Sequence, residues 1–499
     1  MEITFLLPEA DNLSPVGENL TLAEITLVTE VPGEQRRRET RRVLDGSEGF
    51  DIGEILIADD VTLAVEMRSP SLRLIGYGRT PEPIDIAPDG VTEVEIALRR
   101  PFAYVTGGTG IATFDAALEP GFPYSGNVAL APDPVSVIST GAGSELVSVS
   151  ANELRLVSTS THAPMEFSPV PLSLPPNSVA ISADDEWAVV GHGGTGGGIS
   201  IVRLSDVRGE TAAAVFAPLG NVTAVGIGRG AGSDDPPLAY ALLDAVAPTH
   251  DCAVAPPAST IVAVSVTDPS NAAFTVTPGS GVSDFAVHPR KDALAFADIC
   301  GNWVGAIAPL TDPTKRLDLQ QLRRATSVAI LDDRVWGLGA QPAQSGAYLV
   351  VSTIELGGGG AAVLELAPSE ERALTRDFTD EGQNAELRMT ADALFPLELA
   401  VLPGGEHVGI LSRAYYHGEP EVDIIFGTII PEMTINAWEY LLVDASTGAP
   451  VQRVRTKCDL NWERGAFLDD WVCTQAPGQV VVSGMGYEPD HLSVLNGAR

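Results

Sequence analysis

The chain has 499 residues. A single hydrophobic core rarely supports a chain of this length, so more than one domain is expected. Its formal net charge is −36, from 30 lysines and arginines against 66 aspartates and glutamates. That balance argues against a nucleic-acid partner, because a phosphate backbone needs a basic face. Hydrophobic residues make up 44% of the chain, which indicates a folded protein. No apolar run approaches the ~20 residues of a membrane-spanning helix, so no membrane span is expected.

Residues 1–100 alternate apolar and polar residues with a period of two, which predicts short β-strands. Six or seven such strands, separated by turns rich in proline, glycine and aspartate, predict an all-β fold that begins with a β-sandwich. The sandwich is expected to be immunoglobulin-like in shape only, because the Cys–Trp–Cys signature is absent. The last strand runs through Arg99, Arg100 and Pro101 into the next region. The domain boundary is therefore placed after residue 100.

One basic cluster in this first domain opposes the overall charge. Its members are Arg36, Arg37, Arg38, Arg41 and Arg42. The alternation of Arg38, Thr40 and Arg42 predicts a solvated strand or hairpin edge, where positive charge discourages pairing with other sheets. The alternative is an electrostatic dock for an acidic partner, including another copy of this chain.

From residue 101 onward, a unit of roughly 42–44 residues recurs, built from a strand, a tight polar turn and a second strand. Copies start near Val135, Ser178, Val222, Val282, Ser327, Leu397 and Phe467. Each unit is a small sheet that cannot bury both faces alone, which predicts a β-propeller over residues 101–499 with seven blades. The hairpin 102–117 is expected to pair with the last strands, at 480–482 and 492–495, so that no edge stays open. Eight blades is the alternative if that hairpin forms a separate blade.

Two segments carry a resemblance to a known superfamily. Residues 102–108 and 110–115 read FAYVTGG and GIATFD, and resemble the YVTN-type β-propeller repeat. Residues 178–190, SVAISADDEWAVV, are similar to another segment of the same superfamily. The resemblance spans 102–497 and implies the propeller fold, with Gly107 in place of the motif's asparagine. It implies no single function, because the superfamily includes structural, binding and enzymatic members.

Three long insertions interrupt the repeat, at about residues 247–259, 368–394 and 415–437. They occupy connections that emerge on one face of a propeller, and loops on a rigid scaffold commonly carry binding. The candidate binding residues on this face are Tyr415, Tyr416, His417, Phe426, Met433 and His250. The segment 415–433 is rich in apolar residues. It fits either a hairpin that packs on its blade or caps the channel, or a contact surface for a partner.

The four cysteines are Cys252, Cys300, Cys458 and Cys473. Their even number, without CxxC spacing or a Cys/His ligand pattern, favours disulfides over a metal site, with buried free thiols as the alternative. The expected bridges are Cys252–Cys300, between adjacent blades, and Cys458–Cys473. Disulfides predict an extracytoplasmic location, periplasmic or at the cell surface, with an export or lipoprotein signal upstream of this sequence.

No motif predicts catalysis. The glycine-rich run 191–198 precedes a strand instead of a helix, so a hairpin turn is expected and not a phosphate loop. The acidic doublets at Asp184-Asp185 and Asp332-Asp333 predict turns held by side-chain-to-backbone hydrogen bonds, with calcium binding as the alternative. A site that joins His250 and His417 to nearby acids is a further alternative.

These observations predict a non-enzymatic exported or cell-surface scaffold that contacts a protein or glycan through the insertion-bearing face. One alternative is an extracellular propeller hydrolase or lyase with its site at the channel mouth. Another is a structural subunit of a larger surface assembly. No cofactor is expected.

Overall fold

A computed structural model describes the following parts of the chain: residues 2–8, 13–16, 22, 24–31, 37–42, 58–81, 83–86, 91–107, 110–115, 125–129, 134–166, 169–228, 236–247, 251–270, 272–289, 291–308, 310, 316–331, 334–343, 346–355, 362–365, 372–378, 383–389, 393–402, 405–418, 421–423, 428–430, 433–455, 457–461, 471–474 and 491–494. The regular secondary structure of these residues is β-strand, apart from one short helix. The all-β prediction is therefore confirmed.

The first six strands form two packed sheets, the N-terminal sandwich. They are β1 (Glu2–Leu6), β2 (Glu24–Glu30), β3 (Arg37–Arg42), β4 (Thr62–Arg68), β5 (Leu74–Arg79) and β6 (Glu93–Ala97). β1 pairs with β6 in parallel, and the other sheet has the order β3-β2-β4-β5. Between the sheets, Leu27, Val65 and Ile96 belong to one buried core cluster. The immunoglobulin-like topology and the boundary at residue 100 stay predictions.

The remaining elements follow in chain order. They are β7 (Phe102–Gly107), β8 (Gly110–Asp115), β9 (Ser125–Ala129), β10 (Pro134–Ser139), β11 (Glu145–Ser150), β12 (Glu153–Ser158), β13 (Ala163–Pro164), β14 (Val170–Pro171), β15 (Ser178–Ile181), β16 (Trp187–His192), β17 (Gly198–Arg203), α1 (Leu204–Arg208), β18 (Val215–Pro218), β19 (Val222–Gly228), β20 (Leu238–Leu243), β21 (Ala258–Ser265), β22 (Ala272–Ser280), β23 (Val282–Val287), β24 (Leu294–Asp298), β25 (Trp303–Ile307) and β26 (Arg316–Gln321). Then come β27 (Ser327–Leu331), β28 (Arg334–Ala343), β29 (Gly346–Glu355), β30 (Ala362–Glu365), β31 (Arg372–Phe378), β32 (Gln383–Met389), β33 (Ala393–Val401), β34 (His407–Gly418), β35 (Glu421–Asp423), β36 (Thr428–Ile430), β37 (Met433–Asp444), β38 (Pro450–Arg455), β39 (Lys457–Asn461), β40 (Trp471–Thr474) and β41 (His491–Val494).

Seven sheets of the described strands are arranged in a ring. Their first strands are β10, β15, β19, β23, β27, β33 and β41. Each first strand contacts the first strand of the next sheet, and β41 contacts β10, so the cycle closes. Each sheet continues outward through antiparallel neighbours, which is the architecture of a β-propeller. Seven sheets agree with the expected blade number, which stays a prediction for the whole chain.

The ring closes by pairing the two ends of the propeller sequence. β41 runs antiparallel to β7, with His491 opposite Thr106 and Val494 opposite Ala103. β8 and β9 complete this sheet, which confirms that the hairpin beginning at residue 102 pairs with the last strand. The predicted strand at 480–482 and the predicted unit start at Phe467 lie outside the described residues.

A buried ion pair lies where the chain enters the closing sheet. Arg100 precedes β7, and its Nε and Nη2 donate to the two carboxylate oxygens of Asp115 at 3.0 and 2.5 Å. The exposed fractions of the two side chains are 0% and 2%. Tyr440, from the neighbouring sheet, is also buried, and burial together with the nearby Asp115 carboxylate raises its pKa. The ion pair therefore lies where the closing sheet meets its neighbour.

The sandwich docks on the propeller through its β3-β2-β4-β5 sheet. Arg68 of β4 bonds both Glu66 and Glu406, the latter at 2.5 Å, and Glu406 lies in the turn from β33 to β34. Arg79 of β5 donates to the carbonyl of Ala183, in the turn from β15 to β16. Both turns join a first strand to a second strand, so both emerge on the same side of the ring. We call this side the sandwich face.

The acidic turn at Asp184 and Asp185 belongs to the same face. Asp185 accepts hydrogen bonds from the backbone amides of Gly141 and Ala142, at 2.7 and 2.9 Å, in the turn of the preceding sheet. Burial raises the pKa of Asp185, and the charge of Arg79 opposes that rise. The carboxylate thus joins two neighbouring turns, as the turn interpretation predicts. Asp332 and Asp333 lie outside the described residues.

His162 makes folding sensitive to acid. Its Nε2 lies 3.3 Å from the Tyr104 hydroxyl, and burial lowers its pKa from 6.5 to about 4. Since the unfolded chain then binds the proton more tightly, stability is full above pH 6.5 and falls as the pH drops toward 4. The expected loss is up to about 3 kcal/mol. Replacing His162 by asparagine, which tolerates the positive φ here, should flatten this part of the pH profile in urea denaturation. An unchanged slope would contradict the assignment.

Candidate binding face

The side opposite the sandwich collects the long connections. Because neighbouring strands in a blade are antiparallel, the connection from second to third strand and the connection from fourth strand to the next blade emerge together. The three predicted insertions fall between β20 and β21, between β30 and β33, and between β34 and β37. A fourth long connection, from β38 to β41, contains β39 and β40. We call this side the insertion face.

A disulfide joins two neighbouring sheets on the insertion face. Cys252, in the β20–β21 connection, is bonded to Cys300, in the β24–β25 turn, with their Cα atoms 5.3 Å apart. This confirms the first predicted bridge. Gly281, at φ +89°, packs against it, and a Cβ there would lie 2.8 Å from the Cβ of Cys300. The close approach of the Gly281 backbone to Cys300, together with the positive φ, therefore favours glycine at this position.

Exposed side chains follow both cysteines of this bridge closely in the chain, and we call them the Trp303 patch. Val254 is 61% exposed two residues after Cys252, and Trp303 is 37% exposed three residues after Cys300. The Oδ1 of Asn302 accepts a hydrogen bond from the backbone amide of Arg324, in the connection from β26 to β27, at 2.9 Å. This bond brings the exposed Arg323 close to Trp303. Tryptophan and arginine dominate the energetics of many protein interfaces. The sequence analysis did not predict this patch, because no local pattern shows that Trp303 is exposed.

Asparagines before the first strands lock the turns of this face together. Asn177 donates to the carbonyl of Val222 in the next sheet at 2.7 Å. Asn221 accepts the amide of Gly194 at 2.7 Å and donates to Asp244 at 3.0 Å. Gly194 lies in the glycine-rich run, where His192 pairs with Gly198 across the β16–β17 hairpin. The predicted hairpin is thus confirmed, and it belongs to a scaffold that holds the insertions in place.

The described residues of the segment 415–437 form a β-ribbon. β34 and β37 remain paired as far as Gly418 and Met433, and β35 pairs with β36 beyond them. Four predicted binding residues share this ribbon: Tyr415, Tyr416, His417 and Met433. The other two, Phe426 and His250, lie outside the described residues. The backbone thus places four of the six predicted residues on one hairpin, and their contact role stays a prediction.

A further sheet combines two separate insertions. Its order is β32-β31-β39-β40, and β31 runs parallel to β39, with Arg376 opposite Leu460. Both segments flank the ribbon-bearing sheet in the chain. Cys458 lies directly opposite Cys473 across β39 and β40. Cross-strand Cα separations of about 4.5–5.5 Å suit a disulfide. The second bridge stays a prediction, since the structure describes the backbone here and not the two thiols.

A polar network joins three first strands of the ring. Asp284 of β23 accepts the Ser327 hydroxyl at 2.8 Å and the Val328 amide at 2.9 Å. Ser327 in turn accepts the Leu399 amide at 3.3 Å. Burial raises the pKa of Asp284 to about 6, and the carboxylate of Glu398 adds to the rise. Each of these hydrogen bonds joins the first strand of one sheet to the first strand of the next, so the network stabilises the packing of neighbouring sheets in the ring. The sequence analysis assigned Asp284 no role.

One histidine–serine pair has the spacing of a catalytic dyad but a structural setting. His192 Nε2 lies 2.8 Å from the Ser200 hydroxyl, and its Nδ1 lies 3.1 Å from the carbonyl of Pro175. Both side chains are 0% exposed, so a substrate has no route to the hydroxyl. Burial also lowers the pKa of His192, which keeps the ring neutral. In the described part of the chain, no group of three or more His, Cys, Asp or Glu residues is placed to hold a metal ion.

No known protein family matches the sequence, and no curated protein matches it significantly. Among solved structures, the hydrazine synthase of Kuenenia stuttgartiensis is similar, with a TM-score of 0.39, 13% identity, and coverage of 57% of this chain and 76% of that chain. The WD40 repeats of RRP9 are similar with a TM-score of 0.36 and 13% sequence identity, and the match covers 60% of this chain and 79% of that chain. A nidogen/laminin complex contains a chain that is similar with a TM-score of 0.35 and 12% sequence identity, and the match covers 52% of this chain and 90% of that chain.

These similar structures are β-propeller proteins, and the likeness concerns fold alone. The propeller assignment itself rests on the ring of sheets described above. The described residues contain no helix that is both long and apolar enough to cross a membrane.

Proposed function

We propose that this chain is a non-enzymatic scaffold whose propeller binds a protein partner through its insertion face. The observation that carries the proposal is the difference between the two sides of the ring: one side contacts the sandwich, and the other holds the insertions. Arg68 and Arg79 already join the sandwich to one side. The other side holds the ribbon, the additional sheet and the Trp303 patch on interlocked turns. A glycan is the alternative ligand, and a binding tryptophan would suit either.

Rigidity supports a binding role for this face. The Cys252–Cys300 bridge and the Asn221 hydrogen bonds hold neighbouring connections in one geometry. A surface ordered before binding loses less conformational freedom on association, which improves affinity. Exposed Val254 and Trp303 then supply apolar contact area beside the arginine.

Family, domain division and location belong to the same proposal. The repeat resembles the YVTN type over residues 102–497, and the chain divides into a sandwich at 1–100 and a propeller at 101–499. We place the protein outside the cytoplasm, in the periplasm or at the cell surface. The disulfide supports this location, since such bonds persist in oxidising compartments.

Shortening the ribbon tests the proposal. Replacing residues 419–432 by Asn-Gly should close the ribbon with a two-residue turn after Gly418, because this dipeptide favours that hairpin. Capture of a partner from native extract should fall at least about tenfold, as expected when an interface loses ~1.4 kcal/mol or more. The matched control is Val91→Asp, which changes an exposed residue of the sandwich and should leave capture unchanged. Equal capture by the shortened and intact chains, both with native thermal unfolding, would contradict the assignment of the ribbon.

A further inference from the structure

The junction between the sandwich and the propeller holds a buried arginine that no acid neutralises, and from this we infer that the junction binds a small oxyanion. The anion sits on the guanidinium of Arg99, which follows β6 just before the chain enters the propeller. Its chemistry is that of a phosphate, sulfate or carboxylate group, each of which accepts strong hydrogen bonds from a guanidinium. The site lies on the sandwich face, so it does not depend on the proposed function of the insertion face.

Arg99 is a buried cation without a carboxylate partner in the described part of the chain. Its exposed fraction is 9%, and arginine is rarely buried unless it is paired. The other buried arginines of the described residues each have an acid beside them, in the combinations Arg68 with Glu406, Arg79 with Asp185 and Arg100 with Asp115. The chain has 66 acidic residues against 30 basic ones, so the missing acid at Arg99 runs against its composition.

Neutral oxygens fix the guanidinium and leave one of its nitrogens unused. Nη1 donates to the carbonyls of Leu98 and Leu6 at 2.8 and 3.3 Å, and Nε donates to the Thr159 hydroxyl at 3.3 Å. Among the described residues, Nη2 has no hydrogen-bond partner, yet this atom is not enclosed. Its two N–H groups are therefore held in a fixed position, open to an acceptor from solution.

Segments of both domains surround this nitrogen. Thr159 lies in the connection from β12 to β13, and its hydroxyl donates to the carbonyl of Gly143, in the turn from β10 to β11, at 2.6 Å. The sandwich contributes the end of β1, where Leu6 and Leu7 are 44% and 45% exposed. The site thus borders solvent on its sandwich side. Junctions between domains are common places for small-molecule sites.

The groups near Arg99 supply no negative charge near neutral pH. Tyr104 is the described group whose charge would act on Arg99, and tyrosine is a neutral phenol in this range. The hydroxyl of Tyr104 lies 3.3 Å from His162, which burial keeps neutral as well. Burial lowers the pKa of Arg99, but arginine remains protonated in proteins. A bound oxyanion offsets the cost of this buried charge and joins the two domains.

Isothermal titration calorimetry of the full chain tests the inference near neutral pH and at constant ionic strength. Sodium phosphate, sodium sulfate and sodium acetate are titrated in turn, and at least one should bind saturably at one site per chain. Arg99→Gln should weaken that binding at least about tenfold, since a charged hydrogen-bond donor is lost. The matched control is Arg203→Gln, which removes an exposed arginine and should leave the affinity unchanged. An intact chain that binds none of the three anions overturns the inference.

Hydrogen–deuterium exchange of the intact chain locates the anion without any variant, so the test holds even where Arg99→Gln does not fold. The anion that binds should slow exchange in peptides covering residues 4–8, 97–101 and 158–162, which meet at the guanidinium. Slower exchange confined to other peptides overturns the inference. So does equal affinity of the intact chain and an Arg99→Gln variant that unfolds like it. Capture of a partner by the insertion face is measured separately and is expected to be independent of the anion.

Discussion

Replacing Arg100 by methionine is expected to lower the free energy of unfolding by about 3–5 kcal/mol, among the largest effects of any single change in this protein. Arg100 and Asp115 are fully enclosed, and the change removes the guanidinium that bonds both carboxylate oxygens of Asp115. The cost arises mainly from breaking this ion pair in the interior. Because the pair lies at the entry to the closing sheet, the loss should also expose the junction of β7 and β41. Urea denaturation followed by tryptophan fluorescence measures the effect.

Two matched variants make this prediction specific. Adding Asp115→Leu to Arg100→Met removes both charges and should restore most of the lost stability, since an apolar pair can replace a buried ion pair at little cost. The exposed pair of Arg203 and Glu186 is the external control, and Arg203→Met should leave stability nearly unchanged. A double variant as unstable as Arg100→Met alone would show that packing volume, and not charge, dominates at this site.

Removing the Cys252–Cys300 bridge is the second large effect. The bridge closes a segment with a sequence separation of 48, so its loss in a Cys252→Ser, Cys300→Ser variant should cost about 4 kcal/mol through greater freedom of the unfolded chain. The same bridge holds the Trp303 patch, so partner capture should weaken as well. Denaturation of the variant and of the intact chain, each without reductant, measures the change in stability.

Reductant supplies the control for the disulfide prediction. Dithiothreitol should destabilise the intact chain by at least as much as the double serine variant is destabilised. Any further loss that reductant causes in the variant reports on Cys458 and Cys473, which face each other across β39 and β40. Equal stability of the variant and the intact chain would mean that the bridge adds no constraint on the unfolded state.

The sequence predicted the ring well because its signals are local. Alternating strands such as Ser178–Ile181 and Trp187–His192, separated by polar turns, recur at nearly constant spacing, and a closed ring accommodates such units. The first disulfide was predicted because strand order places Cys252 and Cys300 in adjacent blades. Closure by residues 102–107 followed from the need to cover the edge of the last strand.

What the sequence did not predict depends on contacts between distant segments. The parallel pairing of β31 with β39 joins two insertions separated by a whole blade, and no local pattern encodes it. The buried Arg100–Asp115 pair was equally hidden, since Arg100 was read only as part of a domain boundary. The Trp303 patch depends on which side of β25 stays exposed, and only packing decides that.

The two-sided arrangement of the ring gives the overall charge a structural meaning. Buried carboxylates at Asp115 and Asp185 are matched by arginine or backbone donors, so they serve the fold. The exposed excess gives the rest of the surface a negative field, which favours solubility and opposes unspecific association. Residues 36–42 are the local exception in the sequence, with five arginines and one glutamate.

Hydrogen–deuterium exchange of the captured complex tests the central claim most directly, namely that the insertion face binds the partner while the sandwich face is occupied. Compared with the free chain, the bound chain should gain protection in the peptides that cover the ribbon, the β20–β21 connection and the β24–β25 turn. Peptides that hold Arg68 and Arg79 should be equally protected in both states, because the docked sandwich already covers them. Protection confined to the sandwich and its docked turns, with the insertion face unchanged, would contradict the account.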